Sequence, residues 1–311
     1  MTTPASERKP WLHGLLFALT FLTTWFAGLL YASSFLSAGG GPGVGLFDLR
    51  SVRLGLFYAL PLMIILTGHE LGHFLTCRRY GVLATYPYFI PGPPVLGTFG
   101  AFIRMKSHVF FKHQIFDIGA NGPLTGFLLA LPVLIAGLGL SRIVPLPATS
   151  PDMISFGEPL LLKILSGLFF GRIPEGSTLN LHPAGFAGWV GLLVTAVNLL
   201  PIGQLDGGHV AYAVLGRRTQ WLSRSLMGLL ALMGLFFHTS WLLFAVVILI
   251  IELRSKTRLR HPPVFDEAAP LDAKRRVRSL AIVVIFVLSF IPDPIKGFSL
   301  LDLVTRHAGR L

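Results

Sequence analysis

The stretch that decides the fold is Leu66-Thr67-Gly68-His69-Glu70-Leu71-Gly72-His73-Phe74, which contains the pattern H-E-x-x-H. In a helix, residues four apart lie about 6 Å apart along the axis and face the same side, so both imidazoles can bind one Zn²⁺. Glu70 lies beside them and is placed to accept a proton from water. Because H-E-x-x-H also occurs by chance in unrelated helices, the surrounding sequence decides how it is interpreted.

The residues around this pattern indicate that it lies inside a membrane. Residues 54–66 carry no charge, and Leu75-Thr76-Cys77 leads without charge to the basic pair Arg78-Arg79. A transmembrane helix needs about 20 apolar residues, so 54–77 is long enough to span. His69 then lies roughly 22 Å into a hydrocarbon core about 30 Å thick, nearer the cytoplasmic face.

The composition predicts that most of the chain is membrane domain. Of its 311 residues, 53% are hydrophobic and only 13% are charged, whereas a soluble domain carries about 25% charged residues. The net charge of +12 does not predict nucleic-acid binding, because basic residues flank the cytoplasmic ends of transmembrane helices. The single cysteine, Cys77, excludes an internal disulfide and a four-cysteine metal site.

We therefore expect an all-α polytopic membrane protein of about six to seven helices, forming one integral membrane domain over residues 1–311. The spans are predicted at 11–36, 54–77, 115–140, 184–215, 222–253 and 280–291. The pattern in 222–253 favours a helical hairpin that turns at His238-Thr239-Ser240, and one long tilted helix is the alternative.

The positions of the basic residues predict the orientation of the chain. Arg8 and Lys9 place the N-terminus in the cytoplasm, so residues 141–183 form an external loop. The basic segment 254–278 is then cytoplasmic and meets anionic membrane lipid. We expect an integral protein of a cell membrane such as the bacterial inner membrane.

Residues 80–116 fit no ordinary span, because Pro87, Pro91, Pro93 and Pro94 interrupt them. The stretch Gly97-Thr98-Phe99-Gly100-Ala101-Phe102 instead predicts an irregular strand with a basic end. A bare strand edge cannot face lipid, so this β element must be sheltered by protein, lie at the interface or line a wet cavity. We expect it between the second and third spans.

A catalytic zinc site needs a third protein ligand and an open position. The candidate is Asp206 in Asn198-Leu199-Leu200-Pro201-Ile202-Gly203-Gln204-Leu205-Asp206-Gly207-Gly208. Inserting a lone aspartate into the membrane within a span costs about 2.5–3.5 kcal/mol, so such a residue is by default a candidate functional residue. The second and fourth spans are predicted to run in the same direction, and each ends in a basic pair. His69 lies nine residues before Arg78 and Asp206 lies 11 residues before Arg217, so the two residues are predicted at similar depths in the membrane.

The H-E-x-x-H pattern in a membrane span, followed by N-x-x-P-x-x-x-x-D-G at 198–207, resembles the site-2 protease family of intramembrane zinc metalloproteases. The glycine-rich stretches 97–102 and 119–123 resemble further elements of that family. The resemblance covers roughly residues 54–216, the predicted catalytic core, and is closest to compact members without a PDZ or CBS domain.

The resemblance implies a regulated intramembrane protease whose partners are single-span membrane proteins and membrane lipid. It implies one Zn²⁺ per chain, bound by His69, His73 and Asp206. Glu70 would be the general base, and Asn198 would hold the substrate carbonyl or the oxyanion. The exposed edge at Gly97, Thr98, Phe99, Gly100, Ala101 and Phe102 would bind the unwound substrate by strand addition.

Three other interpretations compete with this one. A membrane metal-ion transporter also places His and Asp in its spans, but it needs several sites along a path and often shows repeats. An inactive homologue that acts as a binding protein is the second, and the intact Glu70 argues against it. In the third, the two histidines form hydrogen bonds in a helix core, which Asp206 argues against. The sequence does not predict an oligomeric state.

Overall fold

The computed structural model describes residues 9–38, 43–146, 155–236, 239–254, 264–267 and 269–296. Within these ranges the chain is mostly helical, as expected. The helices are α1 (Pro10–Ser37), α2 (Leu49–Arg79), α3 (Lys112–Gly139), α4 (Leu160–Phe170), α5 (Pro183–Asn198), α6 (Asp206–Leu215), α7 (Thr219–Phe236), α8 (Thr239–Arg254) and α9 (Ala273–Ser289).

The strands form two-stranded antiparallel sheets. β1 (Tyr88–Pro91) pairs with β2 (Thr98–Phe102), β3 (Arg142–Pro145) with β5 (Ser177–Asn180), and β4 (Ser155–Phe156) with β6 (Ile295–Lys296). The β element predicted between the second and third spans is thus the β1–β2 hairpin. Gly97 is the turn residue before β2 and has a φ of 78°, which favours glycine.

Three helices in the described part of the chain are long and apolar enough to cross a membrane: α1, α2 and α3. They match the first three predicted spans, although α2 begins five residues earlier, at Leu49, where Asp48 accepts a hydrogen bond from the Arg50 N–H. The total of about six to seven spans stays a prediction. Shorter apolar helices, α4 and α5, lie in the described residues as well.

The predicted fourth span, 184–215, is two helices rather than one. α5 ends at Asn198 and α6 begins at Asp206, with Pro201 and Gly203 in the connection. Proline removes a helix hydrogen bond, and Gly203 has a φ of 52° that a helix cannot accept, so the break falls where these two residues predict it. The predicted hairpin in 222–253 is confirmed as α7 and α8, whose predicted turn lies partly outside the described residues.

The chain divides into two compact units. Unit 1 comprises Met1–His108, Asn121–Ala148 and Leu160–Thr195. In it, α1 and α2 approach closely at Gly28 and Gly55, where a Cβ on Gly28 would lie 2.5 Å from the Gly55 carbonyl oxygen. Such small-residue contacts are typical of helices that pack within a membrane. The β1–β2 hairpin is bound to both helices: Thr23 Oγ1 donates to the Gly97 carbonyl, and Tyr58 OH to the Leu96 carbonyl.

Unit 2 comprises Val109–Ala120, Thr149–Pro159 and Ala196–Leu311. Its apolar core joins the α5–α6 connection to the α7–α8 hairpin, and its buried members are Leu200, Ile202, Leu230, Trp241, Ala245 and Ile248. The predicted basic segment 254–278 belongs to this unit, but residues 255–263 and 268 of it lie outside the described ranges.

Candidate metal centre

His69, Glu70 and His73 all lie on α2, which confirms the predicted helix through H-E-x-x-H. Their exposed fractions are 2%, 4% and 6%, so all three are buried. The two imidazole centroids are 5.0 Å apart, as expected for residues one turn apart on one helix face. A buried carboxylate beside two buried imidazoles is costly unless the group is paired or binds a metal.

Two glycines of α3, Gly122 and Gly126, pack against the two imidazole rings. A Cβ on Gly122 would lie 2.0 Å from Nε2 of His73 and 2.3 Å from its Cε1. A Cβ on Gly126 would lie 2.9 Å from Nδ1 of His69. Glycine at these two positions therefore lets α3 pack directly on the histidine rings and restrict their orientation.

Asn121 holds α3 against α2 beside the second histidine. Its side-chain Nδ2 donates to Thr76 Oγ1 at 2.8 Å, and Thr76 Oγ1 donates to the Gly72 carbonyl at 2.7 Å. Asn121 lies inside α3 and caps no helix end. Its position inside the helix favours a role in supporting the site.

Asp206 is the first residue of α6, in unit 2. The helix N-terminus carries a partial positive charge, which stabilises a carboxylate there. Gly207 and Gly208 follow because the preceding chain folds back on them: a Cβ on Gly207 would lie 2.0 Å from the Leu199 carbonyl oxygen, and one on Gly208 would lie 2.3 Å from that of Gly203. This explains why the aspartate is followed by two glycines.

The connection before Asp206 is fixed by Ser223 of α7. Ser223 Oγ donates to the Pro201 carbonyl at 3.0 Å and accepts from the Gly203 N–H at 3.3 Å. Asn198 is the last residue of α5 and is half-buried at the start of this connection. The connection is thus held by hydrogen bonds as well as by the unit 2 core.

His69, His73 and Asp206 each offer one ligand atom, and these three atoms lie within 4.8 Å of one another. Among the described residues, this is the one group of three or more such side chains with this spacing. Two imidazole nitrogens and a carboxylate oxygen are a donor set of catalytic zinc sites, which leave a fourth position open. The residues present therefore fit a zinc ion.

The predicted strand edge lies in the β1–β2 hairpin. Thr98 is 4% exposed, and its hydroxyl bonds to the Ile90 carbonyl and to the Gly100 N–H, so it serves the hairpin itself. Phe99 is 69% exposed and lies at a register shift of the pairing with β1. Phe102 is 48% exposed, and the hairpin carries no third strand among the described residues.

Aromatic contacts bind this hairpin to the two first helices. The ring of Phe74, the residue after His73, stacks on Tyr86 at 5.6 Å between centroids, and His13 of α1 contacts Tyr88 at 4.2 Å. The hairpin is therefore attached to α2 beside the H-E-x-x-H turn.

Sequence reasoning did not identify Gly126 and Thr76 as parts of this centre. Gly126 lies one turn after Gly122, so its spacing was a usable signal once α3 was known to pack on α2. Thr76 lies three residues after His73, but a threonine at this spacing is common in membrane helices.

Comparisons with known proteins agree with this geometry. The profile described as Peptidase family M50 matches residues 57–240. The chain is 33% identical over 77% of its length to "Probable zinc metalloprotease EGY2, chloroplastic" of Arabidopsis thaliana, covering 42% of that protein. It is 32% identical over 78% of its length to "Probable zinc metalloprotease EGY1, chloroplastic" of Oryza sativa subsp. japonica, covering 42% of that protein.

The chain thus spans about two fifths of the length of the curated relatives it matches. No solved structure matches it. The family profile covers more than half of the chain and contains both the H-E-x-x-H turn and Asp206. The chain belongs to peptidase family M50, the site-2 protease family.

Proposed function

We propose that the protein is an intramembrane zinc metalloprotease that hydrolyses peptide bonds within or near transmembrane segments of single-span membrane proteins. One observation carries this proposal: two buried histidines of an apolar helix and an aspartate offer three ligand atoms within 4.8 Å of one another, and a buried glutamate adjoins the first histidine. Membership of family M50 supports the same reaction class.

Each residue of the centre has a separate role in this proposal. His69, His73 and Asp206 hold one zinc per chain, which when bound supplies the Lewis acidity that makes water nucleophilic near neutral pH. The Glu70 carboxylate accepts the proton of the attacking water and later donates it to the nitrogen of the leaving amine. The Asn198 amide donates to the oxygen of the scissile carbonyl as negative charge develops there.

Helix α3 supports the choice of Asp206 as the third ligand. Gly122 of this helix packs on the His73 ring. Gly119 of the same helix packs on α6, where a Cβ would lie 2.9 Å from the Asp206 carbonyl oxygen. Residues 119 and 122 are about 4.5 Å apart along the helix axis. α3 thus has one glycine at the His73 ring and another at the Asp206 carbonyl oxygen.

We further propose that the substrate binds by strand addition at the outer edge of β2, residues 97–102. A helical segment must unwind before hydrolysis, and each backbone group that loses its hydrogen bond in a dry site is costly. Pairing with a strand edge replaces those bonds. The hairpin supports this proposal because its second strand is exposed at Phe99, while hydrogen bonds from α1 and α2 hold its turn at Leu96 and Gly97.

Proline at position 99 or 101 removes one backbone N–H without changing a proposed ligand. We expect at least one of Phe99→Pro and Ala101→Pro to lose most cleavage while zinc content and expression stay at the wild-type level, because an N–H of β2 that points away from β1 is free to donate to a substrate strand. Cleavage of a single-span substrate in proteoliposomes measures this. Phe99→Ala and Ala101→Gly, which keep the N–H, are the controls. Wild-type cleavage by both proline variants would exclude strand addition here.

The proposed activity is tested by reconstitution. Purified protein in proteoliposomes should cleave a single-span substrate, stop when a zinc chelator is added, and recover on addition of zinc. Zinc flux into the same vesicles is measured in parallel, since a metal-ion transporter is the rival function. Flux without any cleavage would reject the protease and favour the transporter. Zinc binding with neither activity would favour an inactive homologue that acts as a binding protein.

The finer features of the protein are part of the same proposal. We infer one integral membrane domain with about six to seven spans, a catalytic core at 54–216 and a cytoplasmic basic segment at 254–278. The basic residues before α1 and in the last turn of α2 support a cytoplasmic N-terminus, and we propose the bacterial inner membrane as the location. A reporter enzyme fused after Arg218 reads the orientation directly, and an external signal would reject it.

A further inference from the structure

Residues 264–267 and 269–275, which we call the strap, lie beyond the part of the chain that family M50 covers. Within unit 2 the strap is bound to the first turn of α3. Lys112 is 7% exposed, and its Nζ donates to the carbonyl oxygens of Glu267 at 2.6 Å and Ala269 at 2.7 Å. The Asp266 carboxylate accepts from the Lys112 N–H at 2.7 Å and so caps α3.

The strap also contacts α6. Tyr212 OH of α6 donates to the Glu267 carboxylate at 3.1 Å, and Arg217, two residues after the end of α6, forms an ion pair with the same carboxylate at 3.5 Å. Glu267 therefore touches α6 through its side chain and α3 through its carbonyl. The strap therefore contacts both α3 and α6, the two helices that touch at Gly119 and the Asp206 carbonyl oxygen.

The strap ends in a largely buried ion pair with α3. Arg275 Nε donates to Asp117 Oδ1 at 3.0 Å and Nη2 donates to Oδ2 at 2.5 Å, a two-pronged geometry that fixes both side chains. The exposed fractions of the Arg275 and Asp117 side chains are 23% and 9%. Hydrogen bonding to Asp117 raises the pKa of Arg275, and Asp272 at the start of α9 adds to this. Arg278 lies 3.5 Å from the Asp117 carboxylate.

Asp117 lies half a turn before the residue that contacts α6. A Cβ on Gly119 would lie 2.7 Å from Cβ of His209 and 2.9 Å from the Asp206 carbonyl oxygen. The backbone of α3 is therefore the surface on which the first turn of α6 rests. Because residue 119 is a glycine, no side chain of α3 separates its backbone from the Asp206 carbonyl oxygen.

We propose that the Asp117–Arg275 ion pair is a positioning device that holds α3 against the first turn of α6 and thereby fixes the Asp206 carboxylate for metal binding. Asp117 and Arg275 are positioning residues that act through Asp206. This inference rests on the proposed function in that Asp206 is taken as a zinc ligand. It assigns a role in the site to a helix that begins at Ala273, outside the family-matched region.

The charge pattern alone describes Arg275 as one of several basic residues that anchor the chain in the cytoplasm. The structure separates it from its neighbours, because Arg276 is exposed while Arg275 is paired with Asp117. Arg276→Gln is therefore a matched control. It removes the same charge from the adjacent position and leaves the ion pair intact.

The experiment compares Arg275→Gln, Asp117→Asn, the double variant and Arg276→Gln in the full-length protein. We measure zinc affinity by chelator competition, melting temperature, and amide hydrogen exchange of residues 206–215 in metal-free protein. Each single variant should lose about 10- to 100-fold in zinc affinity, the range for groups that orient metal ligands, and exchange faster at 206–215. The double variant should regain part of the melting temperature that each single variant loses, because both largely buried charges are removed together, but it should not regain zinc affinity. Arg276→Gln should match the wild type.

Two results would overturn the inference. The first is wild-type zinc affinity and exchange in both single variants, with only the melting temperature lowered. The second is a double variant whose zinc affinity recovers together with its melting temperature, as for a merely structural pair. Faster exchange at 206–215 in a protein whose wild type binds no zinc would reject the proposed function instead, and would leave the control of α6 by the ion pair standing.

Discussion

The Glu70→Gln protein is expected to cleave a single-span substrate about 10²- to 10⁴-fold more slowly than the wild type, the range for a lost general base. It should keep its zinc, because Glu70 is not one of the proposed ligands. Glutamine has the size of glutamate and fits the same buried position, which is 4% exposed, but its amide cannot accept the proton of water. Cleavage in proteoliposomes and metal content per chain measure the two effects.

Glu175→Gln is the control, since Glu175 is an exposed glutamate of the same unit. It should cleave at the wild-type rate. Undiminished cleavage by Glu70→Gln would show that another group accepts the proton. Loss of zinc together with cleavage would show that Glu70 holds the metal or the fold, and would leave its role as a base unsupported.

The local parts of this centre could be predicted from the sequence because their signals are local. The spacing of His69 and His73 fixes their relation once the segment is helical, and the apolar run 54–66 makes it helical in a membrane. Pro201 and Gly203 likewise predict a break before Asp206, and α6 begins there.

The ends of the helices were harder to predict, because capping residues come from distant parts of the chain. The third span was expected from Ile115, but α3 begins at Lys112, where Asp266 accepts its N–H from 154 residues away. A hydropathy profile depends on the local sequence alone and so does not predict such a contact. α2 begins at Leu49 and extends beyond the apolar run as a polar turn that contains Arg50 and Arg53.

Packing against the centre could not be derived from the sequence. Glycines are frequent in membrane helices, and nothing local distinguishes Gly122 and Gly126, which touch the histidine rings, from Gly167, which has no atom within 4 Å of its Cβ position. Arg275 and Asp117 are 158 residues apart, and Arg275 satisfies the rule for cytoplasmic basic residues equally well without a partner. Only the fold brings these residues together.

The Asp206→Ala protein is expected to lose zinc. Removing a residue that only orients a ligand costs about 10- to 100-fold in metal affinity, so removing one of three ligands should cost more than about 100-fold. Metal content of the purified protein after dialysis, with the wild type holding about one zinc per chain, measures the loss. Cleavage should disappear with the metal.

A second variant separates the ligand from the helix start, because Asp206 is also the first residue of α6. Asp206→Ser keeps a side-chain oxygen that can accept a backbone N–H at a helix N-terminus, but it removes the carboxylate. If Asp206 binds zinc, serine and alanine should lose the metal alike. If Asp206 only stabilises the helix, serine should keep the metal that alanine loses. Full zinc occupancy in both variants would mean that the third ligand is another residue, while His69 and His73 would still face one another across one turn of α2.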